Sequence, residues 1–223
     1  MGQELFFKIV DLGLIDYRLA LERQKDIFLG VKNSAEISTL IVCRHNPVIT
    51  LGRKTCRESF LVPAEELQKR GIKVFEVERG GDITYHGPGQ LVAYPVFNLN
   101  YYKKDIHFFL RQLERVVIEL LADFGVKAER KNNLAGVWFG EKKISSIGIA
   151  VRNWITFHGI SLNVKKDDLL NYRLIKPCGM DIEMISLEDL LGRQIAIEPL
   201  KTLLTRKFKD IFSNRIREEA ALL

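Results

Sequence analysis

Residues 142–164 read KKISSIGIAVRNWITFHGISLNV. Two runs dense in β-branched and aromatic side chains flank Arg152-Asn153, and a shorter run, GVWFG at 136–140, is set off from them by Gly140-Glu141. Strand-forming runs separated by two turn residues predict antiparallel hairpins, so these residues are expected to form three neighbouring strands. No helical period fits between them. A regular alternation of strand, helix and parallel strand is therefore excluded here.

Working outward, residues 107–125, HFFLRQLERVVIELLADFG, place apolar side chains at 109, 110, 113, 116, 117, 120 and 121 and end on Gly125, which predicts an amphipathic helix with a glycine stop. A second helix is expected over 16–33, with Leu19, Arg23 and Ile27 marking its spacing. Strands are expected at 6–12, at 38–42 before Asn46-Pro47, and at 72–78, with a short helix over 63–71 that has Pro63 in its first turn and Gly71 as its stop. Residues 79–90 and 91–99 are expected to form a strand pair joined through Pro88-Gly89. Ser186 with Asp189 three residues on resembles a capping box for a helix over 187–192, and 198–223 reads as a last amphipathic helix. These elements predict an α/β (α+β) fold, with a mixed, largely antiparallel sheet flanked by helices, as a single domain over 1–223.

Composition narrows the function. The chain has 223 residues, 47% hydrophobic and 28% charged, enough for one sizeable core. Its N-terminus lacks a basic region, a long apolar stretch and a small-residue cleavage site, and Phe6 stands where a myristoylation signal needs Ser or Thr. No apolar run approaches the roughly 18 residues a membrane span needs, and the chain reads as cytoplasmic with no membrane partner. Cys43, Cys56 and Cys178 form no CxxC pair, and with four histidines they give no metal-ligand spacing, so neither a metal site nor a disulfide framework is expected. The net charge of +6 suggests an acidic partner without saying which; the absence of a nucleic-acid motif counts against nucleic acid, and basic residues spread in this way are more commonly just a solvated surface.

Four segments can carry chemistry. RGGDITYHGPGQ, 79–90, frees backbone N–H groups to face a ligand; equally, it can be a turn that only changes direction. It has neither P-loop nor GxGxxG spacing and gives no support to ATP binding. Lys143 begins an apolar strand, where a desolvated pocket would lower its pKa and let it exchange a proton with a thiol; its neighbour Lys142 should face the other side. The alternative is a solvated lysine at a strand edge. Cys178, in KPCGM, lies between a proline that fixes the backbone and a glycine that lets amides approach, a setting for a thiolate nucleophile, although a lone cysteine more commonly packs as a small core residue. His86 and His158, each before a glycine, are candidates for positioning or proton transfer, although a histidine in such a strand-turn setting is commonly only a satisfied polar group.

In this order and at these separations, RGGDITYHGPGQLVAYPVFNL, KKISSIGIAVRNWITFHGISLNV and IKPCGM resemble the lipoyl(octanoyl) transferases of lipoate biosynthesis, with HNPVITLGR at 45–53 similar to that family's upstream segment. The resemblance runs from about residue 40 to about residue 190. It implies the fold shared by lipoate and biotin protein ligases. It also implies a reaction in which octanoyl passes from octanoyl-acyl carrier protein, through a thioester on Cys178, to a lysine of the lipoyl domains of 2-oxoacid dehydrogenases and of the glycine cleavage H protein, with no cofactor. By the same resemblance Lys143 lowers the thiol's pKa or shuttles its proton. Arg79, Gly80, Gly81, Asp82, Ile83, Thr84, Tyr85 and His86, then Ser146, Ile147 and Gly148, then Gly159, Ile160 and Ser161, would contact substrate, with His158 as possible support. Departures from the family pattern are Ala93, Phe97, Met180 and Ile185-Ser186, expected to reshape an acyl tunnel. An ATP-dependent lipoate or biotin-type ligase, an amidotransferase between lipoyl domains and a non-catalytic acyl-protein binding module are the competing readings.

Overall fold

The computed structural model describes residues 7–177 and 182–213. Seven strands form the main sheet: in spatial order β1 (Lys8–Ile15), β2 (Thr39–His45), β6 (Gln90–Val96), β10 (Ile155–Asn163), β9 (Lys142–Arg152), β8 (Leu134–Phe139) and β7 (Glu129–Lys131). Only β1 and β2 run parallel, joined by the crossover helix α1 (Tyr17–Lys32); every other neighbouring pair is antiparallel. The three expected hairpin strands are β8, β9 and β10. Their second turn falls on Asn153-Trp154, both at positive φ, one residue later than the sequence suggested.

A smaller sheet, ordered β4 (Lys73–Glu76), β3 (Val48–Leu51) and β5 (Thr84–His86), stands apart from it. This corrects the expected strand pair at 79–99. Segment β5 pairs with β3, through Val48 with His86 and Thr50 with Thr84, while β6 pairs with β2 and β10. The HGPG turn therefore carries the chain from one sheet to the other. Helix α2 (Ala64–Lys69) makes the crossover between the parallel strands β3 and β4, with Pro63 as its N-cap and Gly71 at φ +67° ending it.

Helix α3 (Ile106–Ala122) begins where the Asp105 carboxylate accepts the Phe108 N–H at 2.9 Å. Its Phe109, Leu113, Val116, Val117, Leu120 and Leu121 are fully buried. They pack with α5 (Ile197–Ser213) against Leu40, Val42, Leu91, Ala93, Ile160 and Leu162 of the sheet, each large side chain contributing about 1.5–3 kcal/mol by leaving water. Helix α1 covers the other face through Ile27 and Val31, against Ile41, Val92 and Tyr94. Its buried stripe is Tyr17, Ala20, Gln24, Ile27 and Val31; Leu19 and Arg23, which suggested the helix, face solvent. The capping box at Ser186 and Asp189 is present at the start of α4 (Leu187–Leu191). Among the described residues no helix is long and apolar enough to cross a membrane.

Candidate functional site

Between the face of the main sheet and the 79–86 segment lies a cavity of about 260 Å³. Its floor is cut into β9 and β10 at the cross-strand pairs Gly148 with Gly159 and Ser146 with Ser161. The two glycines leave little room for a side chain. A Cβ on Gly148 would stand 3.0 Å from the Gly80 carbonyl oxygen, and one on Gly159 would stand 2.1 Å from the Ala93 carbonyl oxygen. Just before Gly159, His158 holds a positive φ of +59°, a backbone conformation uncommon outside glycine.

The opposite wall is the 79–86 segment. Arg79, Gly80, Gly81, Asp82, Ile83, Thr84 and His86 all line the cavity, as do Ile147, Ile160, His158 and Lys143. Tyr85 does not, because alternation along β5 turns it into a separate core with Ile49, Leu67 and Tyr172, where its hydroxyl accepts from Asn171 at 2.9 Å. The Arg79 guanidinium is buried and held by neutral oxygens, donating to the Thr50 carbonyl at 2.7 Å, to Thr50 Oγ1 at 2.9 Å and to the Gly80 carbonyl at 3.1 Å. Burial lowers its pKa, and its charge helps burial keep the nearby histidines neutral.

The histidines form a neutral layer. His86 Nδ1 donates to Gln90 Oε1 at 3.1 Å, since the Gln90 amide nitrogen is used on Asn163 Oδ1 and the Tyr172 hydroxyl. That network assigns the tautomer with a bare Nε2. Tyr17 stacks on His86 at 6.2 Å and 10°, and Tyr94 meets His158 edge-on at 6.5 Å. Behind them His45 donates from Nδ1 to the Ile15 carbonyl at 3.1 Å and accepts the Tyr94 hydroxyl at 2.8 Å. Burial pushes His45 down to about 4 and His158 to about 3.

Lys143 lies at the start of β9, where Gly136 of β8 clears its path: a Cβ there would meet Lys143 Cε at 2.5 Å. Its backbone is fastened to the segment that follows residues 178–181. The Lys143 N–H donates to the Glu183 carbonyl at 2.8 Å, and its own carbonyl accepts from Ile185 N–H at 3.0 Å. Lys142 points elsewhere and pairs with Glu183 at 2.5 Å, as alternation predicts. Cys178 itself, with Gly179 and Met180, lies outside the described residues, but Pro177 before it and Ile182 after that segment both line the cavity that Lys143 lines.

Beside this cavity runs an open groove of about 460 Å³ that shares Pro177, Ile182 and Met184 with it and is bordered by Leu61, Leu170 and Arg173. The other two thiols differ from each other. Cys43 is buried, its pKa pushed up by burial, whereas Cys56 is a surface thiol. Ala93 and Phe97 correct another expectation: both pack in the core beneath α3 and α5 and neither lines the cavity, so they cannot reshape it directly. Among the described residues no cluster of His, Cys, Asp or Glu could hold a metal ion.

Sequence reasoning missed Tyr17, Tyr94, Gly136 and Trp138. Tyr94 had a signal, a polar-tipped ring inside the otherwise apolar LVAYPVF, and Gly136 had another, a glycine opening a strand. Tyr17 had none, since it reaches the cavity only because α1 crosses the sheet.

Residues 16–209 match the model of the lipoyl protein ligase A/B catalytic domain. The chain is 42% identical over 212 residues to an octanoyltransferase of Thermoanaerobacter pseudethanolicus, covering 95% of this chain and 92% of that one. It is 40% identical over 209 residues to an octanoyltransferase of Geobacter metallireducens, covering 93% and 94%. Among solved structures it is similar to the bipartite lipoate protein ligase of Thermoplasma acidophilum (TM-score 0.76, 20% identity, 93% of this chain and 84% of that one). It is also similar to lipoate-protein ligase A bound with ATP (TM-score 0.71, 19% identity, 93% and 85%), and more distantly to the biotin protein ligase of Aquifex aeolicus (TM-score 0.55, 13% identity, 92% and 70%). The cavity, the sheet that frames it and these matches agree: the chain belongs to the lipoyl protein ligase A/B catalytic domain family.

Proposed function

We propose that this protein is an octanoyltransferase that takes the acyl group from octanoyl-acyl carrier protein onto Cys178 and delivers it to a lysine of lipoyl domains. The observation that carries this reading is that Lys143 and both flanks of the cysteine segment, Pro177 and Ile182, line one cavity. Relatives at about 40% identity over nearly the whole chain that bear the name octanoyltransferase support it.

The residues divide the work as follows. The Cys178 thiolate attacks the carbonyl carbon of the carrier's thioester; the new C–S bond forms as the carrier's sulfur leaves and takes a proton from the Lys143 ammonium group. The acceptor lysine then attacks the acyl-cysteine, Cys178 leaves as a thiolate, and the neutral Lys143 amine receives the proton the new amide sheds. Exchange between thioesters is close to isoenergetic and amide formation is downhill, so no nucleotide is required. Gly148, Gly159, Ile147 and Ile160 bound the space for the acyl chain, and His86 and His158, being neutral, add no charge to it.

An acidic carrier protein would fit the groove beside the cavity, whose edge carries Arg173. The test is reconstitution: the protein, octanoyl-acyl carrier protein and an apo lipoyl domain, with and without ATP and Mg²⁺. Octanoylation of the domain that is indifferent to ATP is expected. Transfer only from free octanoate with ATP would replace this reading with a ligase.

A further inference from the structure

We propose that Trp138 is a positioning residue for Lys143, holding its side chain as an ammonium group against the indole face. The inference rests on the role of Lys143 proposed above. The Lys143 ammonium nitrogen lies 5.3 Å from the centroid of the Trp138 ring, inside the roughly 6 Å reach of a cation–π contact. The ring is 2% exposed, so water competes little for its face. Two residues earlier on the same strand, Gly136 lets the lysine stem pass: a Cβ there would stand 2.5 Å from Lys143 Cε and 3.2 Å from Nζ. The bonds to Glu183 and Ile185 fix the other end of the side chain at its backbone.

A second observation concerns the residue type. The indole N–H of Trp138 is buried without a hydrogen-bond partner among the described residues. A phenylalanine would fill apolar space without stranding a donor, so the indole is unfavourable here as mere packing. What it adds is the strongest π-face of any side chain.

Lys131 Nζ lies 5.0 Å from the same ring, but its charge is met by Glu141 at 2.6 Å. Glu114 of α3 accepts the Gly136 N–H at 3.4 Å and is itself paired with Arg111 and Arg130, while Lys142 is paired with Glu183. Glu114, Glu141 and Glu183 are thus each engaged with another cation, and the ring offers Lys143 a stabilising contact. A cation held in this way favours the Cys178 thiolate and keeps a proton ready for the departing carrier sulfur.

The test weakens the ring without changing its shape. In a Trp154→Phe background Trp138 is the sole tryptophan, and mono-, di- and tetrafluorinated tryptophans can replace it biosynthetically. With octanoyl-acyl carrier protein as donor, kcat/KM is expected to fall stepwise with fluorination, to about one tenth for the tetrafluoro ring. The alkaline limb of the pH profile should move to lower pH in the same order, because a less stabilised ammonium group loses its proton sooner. Trp138→Phe should retain more activity than Trp138→Leu. Equal rates and a fixed alkaline limb across the fluorinated series would overturn the proposal while leaving the function standing. An ordinary-tryptophan parent that transfers nothing, or that is indifferent to Lys143→Ala, would overturn the reading of the site and this inference with it.

Discussion

Replacing Gly136 with alanine asks whether Lys143 works where β8 holds it. The new Cβ would lie 2.5 Å from Lys143 Cε and equally 2.5 Å from the Ser145 carbonyl oxygen, at a backbone φ of +130°. Non-bonded carbons settle about 3.5–4.0 Å apart, so either the lysine stem or the β8–β9 backbone has to move by about 1 Å. The backbone conformation adds its own cost, on the order of 1–3 kcal/mol for a side chain at positive φ. A misplacement of about 1 Å at a reacting group lowers turnover by about 100-fold. The expected phenotype is a folded protein, less stable by that amount in urea, with kcat down about 100-fold and KM for the carrier substrate little changed. Single-turnover acylation by octanoyl-acyl carrier protein, read by quenched-flow mass spectrometry beside an equilibrium denaturation, separates the two effects. Acylation within twofold of the parent enzyme in a protein that has lost stability would refute the reasoning, since the strain would be present and the lysine's position immaterial.

Other outcomes follow from the same geometry. At His158, where φ is +59°, asparagine should preserve stability better than valine, which is expected to cost about 1–3 kcal/mol by chemical denaturation. The buried histidines set the acid limit. The unfolded chain binds a proton at His45 near 6.5 whereas the folded chain binds none until about 4, so that stability is complete above 6.5 and is lost as the pH falls toward 4. At about 1.4 kcal/mol per unit this is roughly 3 kcal/mol. Circular dichroism should show a midpoint of acid unfolding that moves to lower pH in His45→Gln, and an unchanged midpoint would contradict it. Arg173→Glu should raise KM for octanoyl-acyl carrier protein about five- to tenfold at low salt, and the difference should vanish at high salt; a salt-independent effect would show that charge is not what that groove contributes.

Local patterns were legible where a structure is decided by neighbours in the chain. The hairpins of β8 to β10, the glycine stop of α3 and the capping box at Ser186 all follow from residues within a few positions of one another. The strand partner of β5 was not. The HGPG turn looks the same whether it closes a hairpin or carries a chain between sheets, and only the long-range pairing of Thr50 with Thr84 distinguishes the two. Alternation predicted that Lys142 and Lys143 diverge, and the same rule, applied to β5, separates Tyr85 from Thr84 and His86. The residues at the back of the cavity were hidden for another reason. Tyr17 and Tyr94 line it and Trp138 lies against Lys143, and their place around His86, His158 and Lys143 depends on how α1 crosses the sheet and how β8 registers on β9.

The central claim is covalent passage of the acyl group through Cys178 with Lys143 as its proton partner. Intact-mass spectrometry of the protein after incubation with octanoyl-acyl carrier protein, beside Cys178→Ser and Lys143→Ala, tests it most directly. The account predicts a single octanoyl adduct that hydroxylamine removes, that Cys178→Ser lacks, that Lys143→Ala forms slowly, and that disappears without ATP as an apo lipoyl domain gains the same mass. Transfer to the lipoyl domain by Cys178→Ser at the parent rate, or an adduct that maps to Cys43 or Cys56, would contradict it.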